Sequence, residues 1–388
     1  MIVKIGDVIS EYSVRNKFDE NIPVYSVTNE KGFCTGYFSK EVASKDKSTY
    51  KIVPRGYFAY NPSRINVGSV DWQKYEDRVI VSPLYVVFGV SDRLDRQYLL
   101  HYLKSDMMLS FIKEYATGSV RDNLKLADLG EFPINLRPVE EQRQIAATLD
   151  KIDDLIAKRR QQLDKLDELV KSRFIEMFGD PVENPHGFRK VALSELAEIK
   201  IGPFGSLLHK EDYIEGGHPL LNPSHIVDGK VAPDSKLTIS DKKYDELEAY
   251  HLHIGDVVMG RRGEMGRCAV VPSEGFLCGT GSLLIRTKGE VTADYIQKII
   301  SFPSFRKTIE DMAVGQTMLN LNVPIVSKFQ IVKPPIEVQK NYYKFVAQTD
   351  KSKYRQEKCI GFFQCLEKTL DRSGYDVEFW LSQNEKRI

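Results

Sequence analysis

Cysteine is scarce in this chain and nowhere paired. Cys34, Cys268, Cys278, Cys359 and Cys365 are five in number, with no Cys-x-x-Cys spacing among them. Such scatter speaks against a secreted disulfide framework and against structural zinc, whose ligands come in close pairs, and it fits reduced thiols. The seven histidines are equally dispersed. His251 and His253 stand two apart but lack the further ligands a metal needs, so no metal site is expected. Net charge is nearly absent as well, at +1. That excludes a uniformly basic nucleic-acid binder and leaves focal patches as the electrostatic route to DNA. The longest apolar run, residues 79–90, is interrupted by Ser82, Pro83 and Gly89 and falls well short of the ~20 residues that cross a bilayer. The first residues enter a strand-like pattern at once, without the layout of a signal or transit peptide. No membrane partner and a cytoplasmic location are the expectations.

Catalytic motifs are missing too. There is no GxxxxGK[ST] phosphate loop, no GxGxxG at a strand-to-helix turn and no Gly-x-Ser-x-Gly elbow. Asn61-Pro62-Ser63-Arg64 and Asn222-Pro223-Ser224-His225 approach the Asn-Pro-Pro-aromatic tetrapeptide of amino-methyltransferases. Both lack the second proline and the aromatic residue that stacks on a flipped base, and both read better as turns. The chain is expected to bind and not to react, with no catalytic residue and no cofactor of its own.

What the sequence does contain is a duplication. Gly118, Asn123, Leu124, Phe132, Ile134, Pro138, Glu140, Gln142 and Asp153 recur as Gly315, Asn320, Leu321, Phe329, Ile331, Pro335, Glu337, Gln339 and Asp350, each pair 197 positions apart. A constant offset over such a stretch marks two copies of one unit, far too long for a solenoid repeat. With 388 residues, 42% of them hydrophobic and 28% charged, the chain has material for two cores.

Each copy opens with strand-like runs punctuated by Gly, Pro, Asn and Asp: residues 24–28, 56–60 and 79–88 in the first, 256–259 and 282–287 in the second. A short helix follows, over 95–114 and 292–312, then a Gly-containing turn at 116–120 and 313–317. A strand ending in proline feeds a long helix. The first long helix starts at Pro138 with Glu140 and Glu141 in its first turn, a favourable placement of proline and of negative charge. Ile145, Leu149, Ile152, Ile156, Leu163, Leu166, Val170 and Met177 follow in steps of three and four, with Arg159 and Arg173 filling the gaps. That is a heptad seam, and at 1.5 Å per residue the helix from Pro138 to about Phe178 runs about 60 Å. The repeat mates Tyr342, Val346, Thr349, Lys353, Ile360 and Phe363 form a second, wetter seam. The economical arrangement pairs the two helices, although each could instead pack on its own globule. The first helix ends at Phe178-Gly179-Asp180-Pro181.

The expected fold class is α+β, with two mixed α/β globules joined by two long antiparallel coiled-coil helices in a pseudo-two-fold repeat. The boundaries read as 1–137 and 181–334 for the globules, 138–180 and 335–370 for the helices, and 371–388 for a C-terminal tail.

DNA readout needs Arg, Lys, Asn or Gln on loops that lie close to the groove. After a strand in the first copy comes Asn61-Pro62-Ser63-Arg64-Ile65-Asn66-Val67-Gly68, and at the corresponding place in the second Gly260-Arg261-Arg262-Gly263-Glu264-Met265-Gly266-Arg267. Arg64, Asn66, Arg261, Arg262 and Arg267 are the candidates there, with a solvated charged turn as the alternative. The Gly-initiated turns add Arg121 and Asn123 in the first copy and Thr317 and Asn320 in the second. The loop Ile201-Gly202-Pro203-Phe204-Gly205-Ser206, followed by His209 and Lys210, offers Phe204, Ser206 and Lys210 and backbone amides suited to a phosphate.

This arrangement resembles the specificity subunits of type I restriction-modification systems over essentially the whole chain. The most specific pieces are Arg137-Pro138-Val139-Glu140-Glu141-Gln142-Arg143-Gln144-Ile145, the stretch from Phe174 to Pro181 with Asn184-Pro185, the loop 201–206 and the turns at Gly118 and Gly315. The resemblance implies two target-recognition domains, each reading one half of a split double-stranded DNA site, and an antiparallel helical spacer. It implies two modification subunits that carry S-adenosylmethionine and methylate adenine, and restriction/translocase subunits that use ATP and Mg. The polar centre of the second helix and the stretch 371–388 depart from the pattern. A specificity factor of a stand-alone adenine methyltransferase, without nuclease, fits the same residues. A fused enzyme would need motifs that are missing, and a protein-only coiled-coil adaptor leaves the arginine loops unexplained.

Overall fold

The strand-like runs of the two copies fold into sheets of the same order. In a computed structural model describing residues 1–36, 47–117, 123–313 and 320–375, the chain divides into two units, Met1–Gln162 with the chain from Arg355 onward, and Leu163–Tyr354. The first unit is built on a four-stranded antiparallel sheet in the order Ile9–Glu11, Val86–Val90, Phe58–Tyr60, Val70–Trp72. The second repeats that order with Ala197–Ile201, Ser282–Thr287, Val257–Gly260 and Cys268–Val270. The central strands are buried on both faces. Phe58 and Tyr60 enter one apolar cluster and Ala59 another, just as Val257 and Met259 enter one and Val258 another. The apolar run 79–90 is two strands, Arg78–Val81 and Val86–Val90. Pro83, which has no amide hydrogen for a ladder, lies in the break.

Helices cover one face of each sheet. The expected helices at 95–114 and 292–312 are each two, Arg96–Lys104 with Asp106–Thr117, and Ala293–Ile300 with Pro303–Met312. Ser105 is extended at the first break (φ −62°, ψ 145°), and Pro303 starts the helix after the second. Asp95 and Thr292 cap the leading helices, Asp95 accepting from the amides of Gln97 and Tyr98, and Thr292 from that of Tyr295. Each globule is closed by its first strand pairing with its last, Ile2–Lys4 with Pro133–Asn135 and Lys190–Ala192 with Gln330–Val332. Tyr98 and Tyr295, repeat mates, donate their hydroxyls to the carbonyls of Asn135 and Val332, both at 3.0 Å.

The repeated glutamines explain themselves here. Gln142 has no exposed surface; its Oε1 accepts from the Asp95 amide at 2.7 Å and its Nε2 donates to the carbonyls of Arg93 and Arg137. Gln339, equally buried, accepts from the Thr292 amide at 3.0 Å and donates to the Pro334 carbonyl at 2.9 Å. Each clamps the cap of a short helix to the start of a long one. Gln339→Ala would strand a half-buried N–H and a buried C=O, and we expect a stability loss of about 1–3 kcal/mol in urea denaturation. A change below about 0.5 kcal/mol would mean that water replaces the amide.

The long helices run Val139–Phe178 and Ile336–Tyr375, the second passing beyond residue 370 into the stretch set apart as a tail; residues 376–388 lie outside the described residues. In the first unit Leu149, Ile152 and Ile156 are buried and Ile145 partly so, while Ile360 and Phe363 are half-buried on the second helix. Arg159 Nη1 donates to Gln356 Oε1 at 2.9 Å. In the second unit Leu163, Leu166 and Val346 are half-buried, the buried Tyr342 donates its hydroxyl to the Val170 carbonyl at 3.2 Å, and Lys353 pairs with Asp167. Within each unit the helices are antiparallel, and the wet centre of the second is occupied by hydrogen-bonded groups. Phe174, Phe178, Tyr295 and Tyr342 pack together in the second unit, mostly edge-on, with ring centroids 5.0 to 6.3 Å apart. Cys268 and Cys278 are buried, and burial pushes both thiols up to about 12, which leaves them inert.

Candidate nucleic-acid interface

In each unit the loop after the central strand is tied by backbone to the segment after the Gly-initiated turn. In the first, the Leu124 amide donates to the Pro62 carbonyl at 3.1 Å and the Tyr60 hydroxyl to the Leu124 carbonyl at 3.0 Å. In the second, the Leu321 amide donates to the Arg261 carbonyl at 2.9 Å and Arg262 bridges Asn320. Two candidate stretches, distant in sequence, are therefore one surface in each unit.

On the first surface Asn61 folds its own turn, its Oδ1 accepting from the Ser63 amide and hydroxyl, so Asn61-Pro62-Ser63-Arg64 is a turn. Gly68 closes the loop with φ 84°, a left-handed conformation suited to glycine. Arg64 and Asn123 are exposed and Asn66 half-exposed. Arg121 lies outside the described residues, with the rest of 118–122.

The second surface is more crowded. The Gly202 amide donates to the Ser282 carbonyl, and a Cβ at Gly202 would stand 2.0 Å from the Gly279 carbonyl oxygen. That glycine is needed for backbone packing. Phe204 is 58% exposed at the tip of its loop and Lys210 is exposed. The side chain of Ser206 and all of Thr317 lie outside the described residues. Asn222 Oδ1 accepts from the Gly281 amide at 3.4 Å, and the Arg261 amide donates to the Gly281 carbonyl. The loops 201–206, 222–225, 261–267 and 279–282 thus converge. Asn320 Oδ1 is buried without a hydrogen bond among the described residues.

The three arginines differ in what they hold. Arg261 Nε donates to the Leu321 carbonyl at 3.2 Å. Arg267 reaches Glu264 Oε2 through Nη2 at 2.6 Å and the Pro223 carbonyl through Nη1 at 3.2 Å. Arg262 is exposed and makes no side-chain hydrogen bond or ion pair among the described residues. Sequence reasoning assigned no role to Glu264 or Arg306, because their meeting is a tertiary event 42 residues apart in the chain. Among the described residues no group of three or more His, Cys, Asp or Glu could hold a metal ion, and no helix is long and apolar enough to cross a membrane.

The family model of the type I restriction modification DNA specificity domain matches the chain twice, over residues 2–168 and 185–359. The chain belongs to this family. It is 21% identical over 263 residues to the type I restriction enzyme MjaVIII specificity subunit of Methanocaldococcus jannaschii, a match covering 64% of this chain and 61% of that protein. The chain thus spans about three fifths of that curated relative's length. Among solved structures, a chain of a type I R-M system described for its assembly and conformational transition superposes with a TM-score of 0.63 at 18% identity, covering 96% of this chain and 97% of that one. The HsdS subunit from Thermoanaerobacter tengcongensis superposes with a TM-score of 0.52 at 18% identity, over 97% and 96%. These likenesses carry the fold. Both family matches begin on a globule and run into a long helix, the unit that the 197-residue repeat marks in the specificity family member described here.

Proposed function

We propose that this chain is the DNA-specificity subunit of a type I restriction-modification complex and has no catalytic centre of its own. The observation that carries the reading is the family match occurring twice, once on each globule with the start of its helix. In this reading the chain binds a bipartite, asymmetric site on double-stranded DNA. The surface of Arg64, Asn66 and Asn123 meets one half, and the surface of Phe204, Lys210, Arg261, Arg262, Arg267 and Asn320 meets the other, with Arg121, Ser206 and Thr317 as further candidate DNA contacts. Two modification subunits supply S-adenosylmethionine and methylate adenine, and restriction/translocase subunits supply ATP and Mg chemistry.

The test is a mobility-shift and methylation assay with and without the modification subunit. The purified chain with S-adenosylmethionine alone is expected to leave DNA unmethylated, and the reconstituted complex to methylate a split site. Arg64→Ala should cost about 1–3 kcal/mol at one half-site if Arg64 reads a base, or weaken all sequences evenly if it meets a phosphate. Adenine methylation by the chain alone would overturn the reading.

A further inference from the structure

The loop 261–267 is braced at both ends and open at its tip. Its brace is Glu264, whose Oε2 accepts from Arg267 Nε at 3.2 Å and Nη2 at 2.6 Å, and whose Oε1 accepts from Arg306 Nη1 at 2.8 Å. Arg306 belongs to the helix Pro303–Met312, so one carboxylate fastens the loop to the helical layer. Below the brace Met265 is 3% exposed, and Gly266 sits at φ 76° so close that a Cβ would lie 2.8 Å from the Ile300 carbonyl oxygen. The Gly260 amide donates to the Arg267 carbonyl at 2.8 Å, closing the loop neck. On the far side the backbone of Arg262 bridges Asn320, and the Arg261 carbonyl accepts from Leu321.

The consequence is a division of labour among three guanidinium groups that are alike in sequence. Arg267 spends its donors on Glu264 and Pro223, and Arg261 gives Nε to Leu321. Arg262 alone has a fixed backbone, an exposed side chain and a full set of uncommitted donors among the described residues. A planar five-donor fork on an immobilised backbone matches the two acceptors of a guanine edge in the major groove. Resting on the reading of the second unit as a recognition domain, we propose that Arg262 is its specificity-determining arginine, directed at a guanine, and that Glu264, through Arg267 and Arg306, is the residue that positions it.

The experiment uses the full chain assembled with its modification subunits and maps methylated sites for the unaltered protein, Arg262→Ala, Glu264→Gln and the double variant, with thermal melting of each. Arg262→Ala should lower discrimination at one base pair of the second half-site by about tenfold or more, with the first half-site and the melting temperature unchanged. Glu264→Gln should loosen the same base pair, and the double variant should discriminate no worse than Arg262→Ala alone, because Glu264 acts through Arg262. If Glu264→Gln fails to fold, Arg306→Lys, which keeps the charge and loses the fork, is the substitute and should give the same pattern. An unchanged second half-site in Arg262→Ala overturns the assignment, as does full additivity of the two substitutions. Absence of sequence-specific methylation by the unaltered complex would overturn the functional reading as well, which separates the two failures.

Discussion

Lengthening both long helices by the same four residues should move the two halves of the methylated sequence apart and leave their letters intact. The insertions belong after Ala157 in the first helix and after Glu357 in the second, on the same side of the Arg159–Gln356 hydrogen bond of this antiparallel pair. Four helical residues add about 6 Å, roughly two base pairs at ~3.4 Å each. They turn the following face by only about 40°, so Ile145, Leu149 and Ile152 keep a seam to pack in. An insertion in one helix alone would leave four residues without opposite numbers. The expected effect is near-complete loss of methylation at the original site and its appearance at sites with a gap about two base pairs wider. Mapping methylated adenines before and after decides the matter. Retained activity with the gap unchanged would show that helix length is not the ruler.

The second large effect is expected on stability. Asp256 closes the entry to the central strand of the second unit, with 3% of its side chain exposed. Its two oxygens accept from Arg286 Nε at 2.8 Å and Nη2 at 2.7 Å, and one also accepts from the His253 amide at 2.8 Å. Arg286 in turn donates to the His251 carbonyl at 3.1 Å. Asp256→Ala removes the acceptor of a bidentate pair and leaves a cation and a part-buried amide without it, and loss of one partner of a buried pair typically costs about 3–5 kcal/mol. Because Arg286 keeps 34% of its side chain in solvent, the lower end of that range is expected. Asp256→Asn, which keeps the shape and one acceptor, should cost less. Chemical denaturation of the three proteins tests this, and a loss under about 1 kcal/mol for Asp256→Ala would show that the arginine is resolvated at no cost.

The parts of this fold that were legible in the sequence are those fixed by local chemistry. Helix starts announced themselves through Pro138 with Glu140 and Glu141, the first helix end through Gly179 and Pro181, and the seam through its spacing. The repeat also pointed at Gln142 and Gln339 before their clamps could be known. Other features depend on contacts that no window of sequence contains. Ser105 breaks a helix whose apolar pattern continues past it. Asp256 and Arg286, thirty residues apart, meet only because their strands do. The arginines at 261, 262 and 267 are indistinguishable as letters, and only the fold separates a structural guanidinium from an uncommitted one. The hydroxyl ties of Tyr98 to Asn135 and of Tyr295 to Val332 were equally invisible, since tyrosine in an amphipathic helix reads as ordinary core.

The hydrogen bond between Arg159 and Gln356 joins two residues that occupy the same place in the two repeats. A repeat paired with an identical copy of itself would bring Arg159 against Arg159, two cations in a seam where each now has a neutral acceptor, and like charges at such a contact oppose association. Two copies of the second repeat would set Gln356 against Gln356, without that penalty. The divergence at this one position therefore disfavours the first repeat pairing with a second copy of itself and favours its unlike mate, whichever molecule supplies it. It gives the first repeat a preference for the second.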